Sequence, residues 1–365
     1  PFFIFDVNDV IEKYKNWMQK IPRVVPFYCV KCNSSNSVLR ILAQIGAGFE
    51  CATEEEIQQV LDLNVSPDRI IFSHTMKSDY DIKYSASVGV KLMTYDTLGE
   101  LEKIHKHFPD AELMLRFRFD DESSLSALGL KFGVDPDAEA SDLIKRTREL
   151  KMNLIGINFH IGVGSRNPAV YYDAIKIAKK LFDQCSSAGF KMTLLNIGGG
   201  FCGDSSSFFD QSAMYVNKAL KEYFPNKLDI ISEPGTYFVA SAYTLVCNIV
   251  GKRVRKLPDG TVDKINYYID DGIFGSFNIM QRIADVGEKV VPMDKNLKNK
   301  KYQSTIWGQT CASVDIVCDN LELCEHEIDD QLIFKNMGHY TLSTSTLFNG
   351  FPVTKVCEYN KIDEN

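Results

Sequence analysis

At 365 residues the chain can build two hydrophobic cores, and 45% hydrophobic with 24% charged residues is an ordinary globular balance. A net charge of −7 and a pI near 5.5 argue against nucleic acid or an acidic membrane surface as partner. No apolar run spans a bilayer, no signal peptide opens the chain, and ten cysteines without a regular framework read as reduced thiols, so a cytoplasmic protein is expected.

The chain opens directly in a strand, Pro1–Phe5, which leads us to expect further sequence ahead of it. The next apolar run, Val25–Asn33 (VPFYCVKCN), is rich in aromatic and β-branched residues and carries a lysine near its end. Period two groups Phe27, Cys29 and Lys31 on one face and Tyr28, Val30 and Cys32 on the other. The C-x-x-C of Cys29 and Cys32 then faces two ways and suits neither a redox pair nor zinc, and the histidines show no zinc spacing, so no metal is expected. Lys31 is open to two readings. It either snorkels out at the strand end, or is desolvated enough for its pKa to fall toward neutrality, as a Schiff-base amine requires.

Between Phe27 and about Phe238 short β-like runs alternate with amphipathic helical stretches. Strands are expected at 26–32, 48–52, 69–74, 91–96, 112–118, 154–160, 192–198 and 229–234. Helices are expected at Ser37–Ala47, Glu54–Asn64, Leu98–Phe108, Ser141–Lys151, Val170–Ala188 and Ser212–Phe224. This repetition predicts a closed (β/α)8 barrel, in which chemistry sits where strands end. Lys31, His160, Gly198 and Glu233 all fall at such ends.

After about Ala240 the pattern changes to strands without long helices: Tyr243–Arg255, Lys264–Asp270, Gln303–Trp307, Gln331–Phe334 and Pro352–Tyr359. The expected architecture is α/β, with a barrel over 7–240 and a mainly antiparallel β-sheet domain over 241–365 together with 1–6.

Four short stretches carry the chemistry. Gly198-Gly199-Gly200 after a strand is either a phosphate-binding loop of bare N–H groups or a plain βα turn. His160 at a strand mouth is either a satisfied core residue or a ring that stacks on a planar cofactor. Glu233, before Pro234-Gly235, is either a solvated turn carboxylate or the partner of a pyridinium nitrogen. Cys311, in Trp307-Gly308-Gln309-Thr310-Cys311, is by itself a small hydrophobe as readily as a catalytic thiol.

Taken in order, VPFYCVKCN, FHIGVG, NIGGGF, SEPGTYFVA, DDGIFGSFN, IWGQTC and NMGHYT resemble the motifs of the eukaryotic ornithine decarboxylase family, over essentially the whole chain. The family also includes antizyme inhibitors, which share the fold without catalysis. The resemblance implies a pyridoxal 5'-phosphate barrel followed by a sheet domain, and a head-to-tail homodimer with shared active sites. It matches Lys31 to the Schiff-base lysine, His160 to the stacking imidazole and Glu233 to the pyridinium partner. Gly198, Gly199 and Gly200 match the phosphate cradle, and Arg116 and Tyr340 match cofactor-site residues. Cys311 matches the cysteine that crosses the interface to govern reprotonation, and Gly338 a glycine that lets subunits approach.

Departures bear on activity. Thr236 stands where the family has a phosphate-binding arginine, and Val163 replaces a phosphate-binding serine. Glu50 replaces an aspartate and Phe274 a tyrosine, while Ile283 and Ala312 stand where two aspartates receive the distal ammonium of ornithine. The expected function is therefore a pyridoxal-phosphate-dependent amino-acid decarboxylase of the ornithine type, with weakened ornithine turnover or shifted substrate choice. The alternative is an inactive, antizyme-binding protein. Residues 77–101 resemble the family's antizyme-binding segment, and Lys77, Lys83 and Lys91 either steer an acidic partner or simply solvate a helix.

Overall fold

A computed structural model describes residues 1–124, 128–162, 164–203, 206–278, 290–292 and 300–360. Two compact units divide the chain: Val10–Phe238, and Pro1–Asp9 with the chain from Val239 onward.

The first unit is a closed barrel of parallel strands: β2 Val25–Cys29, β3 Gly48–Cys51, β4 Ile70–Phe72, β5 Leu92–Tyr95, β6 Glu112–Arg116, β7 Asn153–Asn158, β8 Leu194–Asn196 and β9 Asp229–Ser232. Closure comes from β2 pairing with β9, Val25 opposite Ile231. The connecting helices are α2 Asn36–Gln44, α3 Glu54–Leu61, α4 Asp79–Val88, α5 Leu98–His107, α6 Ala140–Glu149, α7 Val170–Ser187 and α8 Ser206–Tyr223, with α1 Val7–Lys20 ahead of them. Apolar stripes fix their inner faces. In α7 the buried side chains include Ala174, Ile175, Ala178, Leu181 and Cys185, spaced at helical period.

Parallel register stacks the barrel interior in layers. Phe27, Ile71, Met114, Leu194 and Ile231 form one buried apolar cluster. Two residues further along each strand direction, on the same face, come Cys29, Ser73, Arg116, Asn196 and Glu233. The apolar layer therefore closes the barrel beneath a predominantly polar one, at the end where active sites of this architecture form.

The second unit contains β1 Phe2–Asp6, β10 Tyr243–Lys256, β11 Val262–Ile269, β12 Val290–Pro292, β13 Lys301–Trp307, β14 Ile316–Cys324, β15 Gln331–Phe334 and β16 Lys355–Tyr359. Its pairings are antiparallel except β1 with β16 and β11 with β13. The long β10 serves two groups of strands: its first half pairs with β1 and β15, and its second half with β11, across a register shift between Ile249 and Gly251.

Several elements differ from the sequence expectation, among them α1 Val7–Lys20 and β12 Val290–Pro292, which it did not include. The run expected as strand through 32 ends at Cys29, and Val30–Cys32 form a turn of 3₁₀ helix, so strand alternation does not set the direction of Lys31. Helix α4 has only a weak apolar stripe; its start is set by a capping box, in which Ser78 and Asp81 each bond the other's backbone N–H. Strand β14 went unpredicted because Asp319-Asn320 reads as a turn, and Asn320 indeed takes a positive φ of 56° inside the strand.

Candidate active site

Lys31 leaves the 3₁₀ turn with its side chain 44% exposed and its ammonium paired with Glu50, which is 3% exposed. Of the two readings of Lys31, the desolvated amine is therefore not the environment that this side chain has. A buried carboxylate on β3 holds it instead.

Glu233 is buried just beyond β9. Its Oε1 accepts two hydrogen bonds, from Ser73 Oγ at 2.6 Å and Asn196 Nδ2 at 2.7 Å, and among the described residues no other side chain donates to it. Among the described residues Oε2 receives none. Burial and the neighbouring Glu50 carboxylate push the Glu233 pKa up, while the Ser73 hydrogen bond, Lys31 and Arg116 pull it back.

Arg116 forms no ion pair within 4.0 Å among the described residues, although Glu233, Asp96 and Glu50 all lie near enough to favour its charge. Its guanidinium lies over the Phe132 ring, 4.9 Å from the centroid. Asn158 pairs in register with both Arg116 and Asn196, is 1% exposed, and has no partner for either amide atom among the described residues.

His160 is half-buried, and its Nδ1 accepts the Gly162 N–H at 3.0 Å. Burial, reinforced by the Arg116 and Lys31 cations, pushes its pKa down to about 3. The ring is neutral at physiological pH, and the Gly162 bond leaves the proton on Nε2.

The glycine run has an internal steric reason. A Cβ on Gly198, whose φ is +64°, would collide with the Phe159 carbonyl, and one on Gly199 would lie 2.6 Å from Glu233 O and 2.8 Å from His160 Nε2. The run lets the loop after β8 sit against the loops after β7 and β9. The Gly198 N–H is donated to Asn196 Oδ1 at 2.9 Å, whereas those of Gly199 and Gly200 have no partner among the described residues. Thr236 begins a short helix, Thr236–Val239.

The remaining candidates lie in the sheet unit. Cys311 is exposed, and its N–H bonds Asn349 Oδ1 at 3.1 Å. Phe274 packs on Phe348 with ring centroids 4.5 Å apart, and Ala312 follows Cys311 on the same loop. Two buried aspartates brace these loops: Asp271 accepts from Gly272, Ser276 and Thr354, and Asp315 from Ile273 and Thr310. Tyr340 takes a positive φ of 52°. Gly338 has a reason within one chain, because a Cβ there would strike the Val239 carbonyl. Val163 and Ile283 lie outside the described residues.

Sequence reasoning missed Ser73, Asn158, Asn196, Asp271 and Asp315. A polar residue at the end of an apolar strand (Ser73 after IIF, Asn158 after IGI, Asn196 after LL) was the available signal. Lys77 requires correction as a surface cation. Its side chain is 0% exposed, pairs with Glu100 at 2.8 Å and donates to the His74 and Thr94 carbonyls.

None of the ten cysteines is in a disulfide. Among the described residues no group of histidine, cysteine and carboxylate side chains is placed to hold a metal, and no helix is long and apolar enough to cross a membrane.

Residues 7–240 match the family model described as pyridoxal-dependent decarboxylase, pyridoxal binding domain. The chain belongs to the pyridoxal-dependent decarboxylases. Among its relatives in this family, it is 39% identical to Schizosaccharomyces pombe ornithine decarboxylase, over 97% of this chain and 82% of that protein. It is 40% identical to Xenopus laevis antizyme inhibitor 2, over 97% of this chain and 80% of the relative. The arginine decarboxylase of Paramecium bursaria Chlorella virus superposes with a TM-score of 0.91 at 34% identity, covering 98% of this chain and 95% of the viral one. The lysine/ornithine decarboxylase of Vibrio vulnificus, solved with putrescine, gives 0.88 at 29% identity, over 99% and 95% of the two chains.

Proposed function

We propose that the chain is a pyridoxal-phosphate-dependent amino-acid decarboxylase of the ornithine decarboxylase type, with ornithine turnover weakened or substrate choice shifted. The observation that carries this reading is the polar layer of the barrel. A lysine, a buried glutamate with one carboxylate oxygen unused, an unpaired arginine and an orphaned buried amide converge at the strand ends. The glutamate oxygen, the guanidinium and the amide, which no described residue satisfies, fit a polar heteroaromatic ligand.

Lys31 would hold pyridoxal phosphate through its amine, Glu233 Oε2 would accept the ring N–H, and neutral His160 would lie against the ring. The N–H groups of Gly199 and Gly200 would take phosphate oxygens, without the arginine that Thr236 replaces. Bound, the cofactor supplies an electron sink for the pair released when carbon dioxide leaves. Glu50, already paired with Lys31, is placed to take a proton from Nζ. Exposed Cys311 would act in a homodimer, its thiol returning a proton to the substrate carbon in a partner copy. Ala312 and Phe274 offer no carboxylate to a distal ammonium, which favours a less basic substrate side chain.

The test is borohydride reduction of the protein with pyridoxal phosphate, followed by peptide mapping, with carbon dioxide release from ornithine, lysine, arginine and leucine measured alongside. No adduct at excess cofactor would refute the reading. The 40% identity to antizyme inhibitor 2, together with Thr236, supports the second reading, an inactive antizyme-binding protein. An adduct without turnover of any amino acid would favour it.

A further inference from the structure

We propose that Ser73 and Asn196 are positioning residues for Glu233: by donating to one carboxylate oxygen they hold the side chain ionised and leave the other to receive the ring N–H of a pyridoxal group. This rests on the cofactor reading above.

The two donors come from different strands and are themselves fixed. The Ser73 N–H is bonded to the Cys51 carbonyl at 3.0 Å, which anchors the residue carrying the hydroxyl. The Asn196 amide is oriented by its other end, since Oδ1 accepts the Gly198 N–H at 2.9 Å and Nδ2 must therefore turn to Glu233. The same loop is tied back once more, because Gly198 O accepts the Glu233 N–H at 2.8 Å and Ser232 Oγ at 2.6 Å. One asparagine thus couples the position of the glycine loop to the position of the carboxylate.

The electrostatics require such donors. Glu233 is buried, and the Glu50 carboxylate on β3 opposes its ionisation. Lys31 and Arg116 favour it from a distance, and the Cys29 thiol is spent on the Glu233 backbone carbonyl at 2.9 Å. A buried carboxylate beside another tends to keep its proton. A protonated Glu233 would present an O–H, not an acceptor, to a ring nitrogen. Two hydrogen bonds to the charged form at 2.6 and 2.7 Å shift that balance toward the ionised state.

The experiment titrates Glu233 in cofactor-free protein by infrared spectroscopy of its carboxyl band, assigned by difference from Glu233→Gln. Pyridoxal phosphate affinity is measured separately by equilibrium dialysis. Ser73→Ala should raise the midpoint by about one pH unit and weaken cofactor binding by about tenfold, and Asn196→Ala should do likewise. Ser73→Thr, which keeps the hydroxyl, should restore both, and thermal melts establish that each variant is folded. Midpoints unchanged in both alanine variants would overturn the inference, whatever the affinities. Midpoints that rise in a protein that never binds pyridoxal phosphate would support the donors' role and refute the cofactor reading instead.

Discussion

Lys31 and Glu50 form an ion pair whose halves are unequally placed, the ammonium 44% exposed and the carboxylate 3% exposed. The pair is thus mainly a solution to the burial of Glu50, and removing the lysine strands a carboxylate inside the barrel. Because the lysine itself is well solvated, screening keeps the cost modest. Lys31→Ala should lower stability to urea by about 1 kcal/mol, and adding Glu50→Gln should recover most of that loss. The same Lys31→Ala change should abolish the borohydride-fixed pyridoxyl adduct. Urea melts and peptide mass mapping read the two outcomes independently.

His160 gives the fold a pH dependence of known sign. Its pKa is about 3 in the folded protein and about 6.5 when unfolded, so between those values the unfolded chain binds the extra proton. Stability is unaffected by this group above pH 6.5 and falls by about 1.4 kcal/mol per pH unit as pH drops through the window, levelling off near pH 3. Glu233 acts oppositely: its raised pKa contributes stability below about 4.5, which is lost as pH rises through its folded value. Replacing His160 with glutamine should flatten the urea-stability profile between pH 6.5 and 4.5 by close to one proton. A profile as steep as the wild type's would refute the neutral imidazole.

Much of this barrel was legible because alternation between short apolar runs and amphipathic stretches survives in the sequence: β3, β5 and β6 begin and end within two residues of expectation. What was illegible depended on contacts between distant strands. The direction of Lys31 follows from a 3₁₀ turn that no period-two count reveals. The roles of Ser73 and Asn196 exist only because barrel closure brings β4, β8 and β9 to one carboxylate. Lys77 looked like surface charge because its partner Glu100 is 23 residues away, and no local pattern announces a buried pair at that separation.

Cofactor and substrate affinity should respond to restoring the charges that the chain lacks. A single charge-assisted hydrogen bond to phosphate contributes about 1.5–3 kcal/mol, so Thr236→Arg should tighten pyridoxal phosphate binding about tenfold to a hundredfold. Ala312→Asp combined with Ile283→Asp should raise kcat/KM for ornithine by at least about a hundredfold, from the 3–5 kcal/mol cost of an unpaired buried ammonium. Carbon dioxide release from ornithine and leucine decides the matter. Wild-type ornithine turnover that the double aspartate variant fails to improve would refute the pocket assignment.

The last prediction concerns a protein partner. Residues 77–101 comprise the loop before α4, α4 itself, β5 and the start of α5. With Lys77 buried against Glu100, the lysines that this segment offers to solvent are Lys83 and Lys91. Tyr80, one turn before Lys83 on α4, is 69% exposed, adding apolar contact area beside that charge. If antizyme binds here, it should do so through those side chains. Lys83→Glu with Lys91→Glu should then weaken binding by about fivefold to tenfold at low salt and less at high salt, since each exposed charge contributes a fraction of a kcal/mol. Lys77→Glu would be misleading, because it places two carboxylates in one buried site and unfolds the β4–α4 turn rather than testing the surface. Sedimentation of the chain with micromolar antizyme should show a heterodimer forming at the expense of the homodimer. Absence of a complex at that concentration, or an affinity indifferent to Lys83, Lys91 and salt, would rule out this face as the binding surface.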